Sequence, residues 1–295
     1  VYINGHKLGT RPYGYSTFEY DLTPYISRKG DNVIAVKVDN SDQPNSRWYS
    51  GCGIYRHVWL TKAQKMAYIP QWGQYVSTTP QGDVKVKVDY LAHGSKMKLS
   101  IRNTVYDADG KVVAKSLGNK VQQLKVKNPQ LWDIAKGYLY TVKSELVVNG
   151  KVMDTATTTT GFREVKFDAQ KGFFLNGRNI KINGVCEHHD FGCLGAAVNE
   201  DAMHRKLTIL RDMGVNAIRS SHNPPAPELL HMCDSMGILV MDESFDMWRR
   251  KKSNGDYARF FDEWHKRDLS DLIKRDRNHP SIITWSIGNE VLEQW

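Results

Sequence analysis

The stretch IITWSIGNEVLEQW, residues 282–295, decides how this chain is read. The apolar run from Ile282 to Ile287 has the length and composition of a buried strand. It leads straight into Gly288-Asn289-Glu290, so a buried strand delivers a carboxylate to its tip. On one reading Glu290 is an ordinary residue near a terminus. On the other it belongs to an active site whose remainder lies beyond residue 295.

Upstream, the same grammar repeats. Residues 180–185, 217–219 and 238–241 read as short strands, the last apolar enough to be buried on both faces. Helices are expected over 199–213, 225–236 and 261–277, with Asn199 as an N-cap and Gly214 and Gly237 as stops. Strand and helix alternating at this spacing make parallel βαβ units. Half a doubly wound sheet and half a barrel both fit that order. The strand tips separate the two. His188-His189-Asp190, Arg219-Ser220-Ser221-His222, Asp242-Glu243 and Asn289-Glu290 all lie just past a strand's C-terminal end. They converge on the face where TIM barrels carry their chemistry. No G-x-G-x-x-G succeeds the first strand, as a dinucleotide fold requires. The barrel is the better reading.

The first two-thirds of the chain is strand-like. Asn4-Gly5, Asp109-Gly110 and Asn149-Gly150 sit between apolar-alternating runs and read as hairpins. Residues 32–39 alternate, and Val58-Trp59-Leu60 closes a first block at a break near residues 62–65. That block, 1–64, is too short for a complete sandwich and reads as the C-terminal part of one. A second block, 65–167, has strands expected near 84–90, 97–106, 112–115, 121–126, 138–148 and 152–160. Such spacing suggests an immunoglobulin-like β-sandwich. The third block, 168–295, is the barrel half.

At 295 residues, with 40% apolar and 25% charged residues, the chain has room for two or three ordered domains. No stretch approaches the roughly 20 apolar residues needed to span a bilayer, so no membrane partner is expected. The opening VYINGHKLG reads as strand–turn–strand rather than a signal peptide. A secretion signal would lie upstream, and the compartment, periplasm or cytoplasm, stays open. The 41 basic residues exceed the 32 acidic ones, giving +9. Yet the lysines are dispersed, as in Val84-Lys85-Val86-Lys87-Val88, where alternation puts them on a solvated face. Nucleic acid is therefore not an expected partner. Cys52, Cys186, Cys193 and Cys233 form no C-x-x-C pair and read as mostly buried free thiols.

Each strand-tip cluster has a plain structural reading. Asp242-Glu243 could simply hold Arg219 in an ion pair. His188 and His189 could ligate zinc, but no third ligand accompanies them, which favours hydrogen bonding to a polar substrate. His222 lies in Ser-Ser-His-Asn-Pro-Pro, a turn signal in its own right. Together on one rim, with Trp248 and Trp285 nearby, they suit a sugar. Glycosidic cleavage needs two carboxyl groups flanking the bond, and Glu290 can be one.

Two longer segments carry a resemblance. NAIRSSHNPPAPELLHMCDSMGILVM (216–241) and RNHPSIITWSIGNE (277–290) resemble the signatures of glycoside hydrolase family 2, with Asn223 where many members have tyrosine. SRWYSGCGIYRHVWL (46–60) is similar to the end of that family's N-terminal jelly roll. NPQLWD (128–133) and GFREVKF (161–167) resemble its middle sandwich and the approach to the barrel. The resemblance implies that Glu290 is the general acid/base of a retaining exo-β-glycosidase and that Asn289 bonds the sugar 2-hydroxyl. It places His188 and His222 in the sugar pocket with Arg219 bracing its floor. Asp242, Glu243 and Trp248 are counted with the substrate-binding residues. The family's nucleophilic glutamate ends strand seven, so the chain is expected to be a fragment.

CEHHDFGCLGAAV (186–198) resembles the bacterial β-galactosidase branch, which implies a β-linked oligosaccharide or glycoside as substrate. The family's β-glucuronidases and β-mannosidases are the alternatives, as is a non-catalytic carbohydrate-binding protein on the same scaffold. Some galactosidases bind magnesium through a glutamate and a histidine after strand three. Here that stretch reads Ser244-Phe245-Asp246-Met247-Trp248, which lacks the pattern, so no cofactor is expected. Association into homo-oligomers stays open.

Overall fold

The computed structural model describes residues 1–94 and 97–293. In the first block, β1 (Tyr2–Ile3) pairs with β2 (His6–Lys7) and with β3 (Ile34–Ala35). Asn4 and Gly5 both take positive φ, 48° and 83°, the conformation an Asn-Gly hairpin turn requires. The strand expected over 32–39 shrinks to two residues, and Val58-Trp59-Leu60 is not a strand. Alternation alone does not make a ladder: among the described residues no strand lies beside 58–60, and Trp59 is 81% exposed.

The second block has three sheets. β4 (Ala67–Tyr68) pairs with β7 (Leu91–Ala92), and β5 (Gln74–Thr78) lies against β6 (Asp83–Val88), which pairs with β10 (Val121–Lys125). The larger sheet runs β12-β11-β8-β9, comprising β8 (Leu99–Tyr106), β9 (Val112–Gly118), β11 (Tyr140–Val148) and β12 (Lys151–Thr160). Val84, Val86 and Val88 enter a core with Ile101, Val105, Val142, Leu146 and Phe162, while Lys85 and Lys87 face water. The dispersed lysines are a solvated face.

A small antiparallel sheet, β13 (Val165–Asp168), β14 (Gly172–Leu175) and β15 (Arg178–Asn179), leads into the third block. Its Phe173 and Leu175 pack with Trp132, Ala217, Leu239 and Ile283, covering one end of the third block's main sheet. That sheet is parallel: β16 (Gly184–Glu187), β17 (Ala217–Ser220), β18 (Leu239–Glu243) and β19 (Ile282–Ser286), each beside its predecessor in sequence. A doubly wound sheet reverses its order at a switch point; this one does not. The first strand begins four residues later than expected, because Ile180 is drawn under the sheet, where its N–H donates to the Phe173 carbonyl.

Helices α1 (Glu200–Asp212) and α2 (Pro227–Met236) cover the outer face, where Leu207, Leu230 and Cys233 meet Ile218, Val240 and Ile282. α3 (Phe261–Asp276) joins β18 to β19. Asn199 caps α1 by accepting from the Ala202 N–H at 2.8 Å. Gly237 ends α2 with φ 69°, and a Cβ there would lie 2.4 Å from the Asp133 carbonyl, so only glycine fits. β18 is not buried on both faces, since Met241 is 37% exposed on the inner side of four strands that do not close. The cysteines also differ from expectation. Cys233 is buried on the sheet-facing side of α2, whereas Cys186 is exposed on the first strand of the open sheet and Cys52 and Cys193 lie exposed outside regular strands and α-helices. No described helix is long and apolar enough to cross a membrane.

Candidate active site

Glu243 ends β18, and strand alternation decides what it meets. Val240 points outward into the helical core, so Asp242 does too, and Glu243 points inward. There it is fully buried and accepts from Arg219 Nε and Ser286 Oγ, each at 2.7 Å. His222 Nδ1 lies 2.5 Å from its other oxygen. Burial works against the charge, but the bonds from His222, Arg219 and Ser286 outweigh it and hold the carboxyl below its ordinary range. Each charge-assisted bond is worth about 1.5–3 kcal/mol. Glu243 is therefore a fixed anion. A carboxylate only accepts, so His222 carries its proton on Nδ1 and leaves Nε2 for a ligand.

Arg219 passes this order on to the next strand. Burial disfavours its charge, yet Glu243 more than compensates and raises its affinity for the proton. Its Nη2 donates to Asn289 Oδ1 at 3.0 Å, and Asn289 Nδ2 donates to Asp246 Oδ1 at 2.8 Å. The amide lies between a cation on its oxygen side and an anion on its nitrogen side, so its orientation is fixed. One Nδ2 hydrogen remains for a ligand. The same Asp246 Oδ1 accepts from Lys252 Nζ at 3.0 Å and from Arg47 Nη2 at 2.9 Å. Burial pushes the Asp246 carboxyl up, but Asn289 and Lys252 pull it further down, below the ordinary value.

Glu290 is the contrast. It comes directly after Asn289 with φ 47°, and its side chain is 70% exposed. Arg47 Nη1 stands 3.5 Å and Lys252 Nζ 4.0 Å from its Oε2. Gly288 makes the turn possible: a Cβ there would lie 2.5 Å from Val291 Cγ2 and 2.9 Å from Trp248 Nε1. Trp248 donates that Nε1 to the Ile287 carbonyl at 2.8 Å, so its polar edge serves the loop.

Of the residues expected at the site, the structure brings together Arg219, His222, Glu243, Asn289, Glu290 and Trp248. His188 joins them through Trp48, whose ring centroid lies 4.9 Å from His188 and 5.6 Å from His222. Burial and the neighbouring His222 lower the His188 proton affinity. His189 turns away against Tyr15, and burial and Arg56 push its imidazole down to about 4. Asp242 does not reach the rim. It lies on the outer side beside Asp276 and Arg275 of α3, so Glu243 alone holds Arg219. Trp285 is level with Asp242 in the ladder and faces outward with it.

Four residues of the site were not anticipated in this role: Arg47, Trp48, Asp246 and Lys252. Asp246 lies three residues past Glu243, close enough to have been suspected. Arg47 and Trp48 come from the first block, and no local pattern links them to the strand tips. Two fixed cations, Arg47 and Lys252, already stand beside Glu290 and disfavour a magnesium ion there. Asp246 is the one acid of 244–248; its Oδ1 is taken by Asn289, Lys252 and Arg47, while its buried Oδ2 has no bonded partner among the described residues. Among the described residues no group of three His, Cys, Asp or Glu is arranged to hold a metal.

Comparison with known proteins matches residues 67–163 to the model Glycosyl hydrolases family 2 and residues 165–294 to Glycosyl hydrolases family 2, TIM barrel domain. The chain belongs to glycosyl hydrolase family 2. This family 2 chain is 56% identical to the β-galactosidase BoGH2A of Bacteroides ovatus, covering 100% of the chain and 36% of that protein. It is 43% identical to a putative β-glucuronidase of Formosa agariphila, covering 98% of the chain and 28% of the relative. Among solved structures, a β-glycosidase from Bacteroides vulgatus superposes with a TM-score of 0.95 at 40% identity, over 100% of the chain and 39% of that structure. The family 2 chain thus spans about a third of the curated relatives it matches, 36% and 28% of these two. Its four parallel strands are the start of the TIM-barrel domain.

Proposed function

We propose that the whole protein is a retaining exo-β-glycosidase acting on terminal β-galactosides, with Glu290 as its general acid/base. One observation carries this reading. Of the carboxylates on the inner rim, Glu243 and Asp246 are buried and held as anions by several donors, whereas Glu290 is open to a substrate. A proton donor must reach the glycosidic oxygen, and among these three only Glu290 can. Asn289, its amide fixed by Arg219 and Asp246, offers its free Nδ2 hydrogen to the sugar 2-hydroxyl. His222 and His188 bond further hydroxyls beside the faces of Trp48 and Trp248. Retention needs a second carboxylate about 5–5.5 Å from the first. Following the family resemblance, we read that nucleophile as a glutamate at the end of strand seven, beyond residue 295.

The galactoside assignment draws on the similarity to the Bacteroides ovatus β-galactosidase, 56% identical here. The resemblance to putative β-glucuronidases, 43% identical in one case, makes a glucuronide the competing substrate. We read residues 1–64 as the end of a jelly roll, 65–167 as an immunoglobulin-like sandwich and 168–295 as the barrel's first half.

The test is Glu290→Gln in the full-length protein, assayed on β-galactosides with good and poor leaving groups. General acid catalysis contributes roughly 10²–10⁴-fold. We expect kcat/KM to fall by about that much on a methyl galactoside and far less on a 2,4-dinitrophenyl galactoside, whose departure needs little protonation. Equal losses on both would remove Glu290 from the acid role.

A further inference from the structure

We propose that Arg47, supplied by the first block, is a positioning residue for Glu290 that stabilises the carboxylate formed as Glu290 gives up its proton. The inference rests on reading Glu290 as the acid. Arg47 Nη2 is anchored at 2.9 Å on Asp246 Oδ1, an oxygen that also receives Asn289 Nδ2. Its other terminal nitrogen, Nη1, points at Glu290 Oε2 from 3.5 Å. That is too long for a good hydrogen bond and short enough for strong attraction between charges. The segment carrying it is held in place. Ser46 Oγ donates to the Trp48 carbonyl at 2.7 Å, Trp48 Nε1 donates to Tyr15 at 3.3 Å, and the Trp48 ring sits against His188 and His222.

In the first chemical step the glycosidic C–O bond breaks and its electron pair stays with the leaving oxygen. That oxygen takes the proton from Glu290, which passes from neutral acid to carboxylate. Negative charge on Glu290 therefore appears only as the reaction proceeds. A cation already fixed beside it stabilises the transition state more than the ground state and needs no reorganisation. Lys252 is the other cation near Glu290, but its ammonium already bonds Asp246 Oδ1, the Asp246 carbonyl and the Asn289 carbonyl. An ammonium has three hydrogens, so Lys252 has none left to give. Arg47 is 44% exposed at its side chain and has Nη1 free to close the last half ångström.

The experiment compares Arg47→Met and Arg47→Lys with the unaltered full-length protein, using methyl and 2,4-dinitrophenyl glycosides of the sugar that protein cleaves fastest. Arg47→Met is expected to lose about 10–100-fold in kcat/KM on the methyl glycoside. The loss should sit in kcat and shrink to a few-fold on the activated substrate, and Arg47→Lys should restore most of it. The ratio between substrates on one preparation does not depend on how much protein is correctly folded. Equal losses on both glycosides, or a change confined to KM, would overturn the inference. Glu290→Gln runs alongside. If it separates the two substrates and Arg47→Met does not, Arg47 is eliminated and the acid assignment stands. If Glu290→Gln fails to separate them, the acid assignment itself falls.

Discussion

Asp242 and Glu243 are adjacent, carry the same functional group and are both fully buried, yet the pleat gives them opposite fates. Glu243 faces inward to three donors, while Asp242 faces outward to the carboxyl of Asp276 and the hydroxyl of Ser220. Burial, and then the charge of Asp276, raise the Asp242 proton affinity well above the ordinary carboxyl range, against the pull of Arg275. A carboxyl whose pKa is raised on folding favours the folded state most at low pH. That contribution is lost as pH climbs from the unfolded value, about 3.9, towards the folded one. Asparagine keeps the shape without the charge, and its amide can donate to Asp276. Asp242→Asn should therefore stabilise the full-length protein at pH 7.5 by on the order of 1 kcal/mol. The gain should vanish near pH 3.5, where aspartate is protonated in both states. Thermal unfolding at the two pH values checks this, and a variant less stable at pH 7.5 would contradict it.

At the scale of elements, regular pattern carried much of the architecture. The strand lysines, the Asn-Gly turns, the Asn199 cap and the Gly237 stop are local signals, and each sits where it was expected. Strand tips were legible for the same reason, which is why Arg219, Asn289 and Glu290 could be gathered in advance. Two kinds of information were not local. Facing was misjudged for Asp242 and Trp285, although alternation along β18 forbids Asp242 and Glu243 from sharing Arg219. Arg47 and Trp48 arrive through packing between distant blocks, which no window of sequence contains. Elements also set an expectation for the piece spanning residues 1–295. Among the described residues β16 and β19 each pair on one side only, leaving parallel edges uncovered, and the proposed mechanism needs a second carboxylate beyond residue 295. Purified by itself, this piece should hydrolyse no aryl glycoside above a Glu290→Gln control. Turnover above that control would show that the second carboxylate lies within these residues.

For the whole molecule, the charges around the rim predict which sugar it takes. A glucuronide brings a carboxylate into the pocket and needs a cation not already engaged. Arg219 is held by Glu243 and bonded to Asn289, and Arg47 is held by Asp246 beside Glu290. Lys252 is spent on Asp246 and the Asn289 carbonyl. Each of these rim cations is thus already bonded to a buried anion, Arg219 to Glu243 and both Arg47 and Lys252 to Asp246, and we expect a glucuronide carboxylate to be desolvated without a cation of its own. That costs several kcal/mol, and every 1.4 kcal/mol is a factor of about ten. The full-length protein should therefore favour p-nitrophenyl β-galactoside over the β-glucuronide by at least roughly 100-fold in kcat/KM. Both are measured at one pH, with the β-mannoside as a third arm. A preference for the glucuronide would mean that a lysine or arginine outside residues 1–295 meets the substrate carboxylate. A preference for the mannoside would show instead that the axial 2-hydroxyl is the group the Asn289 amide is set to receive.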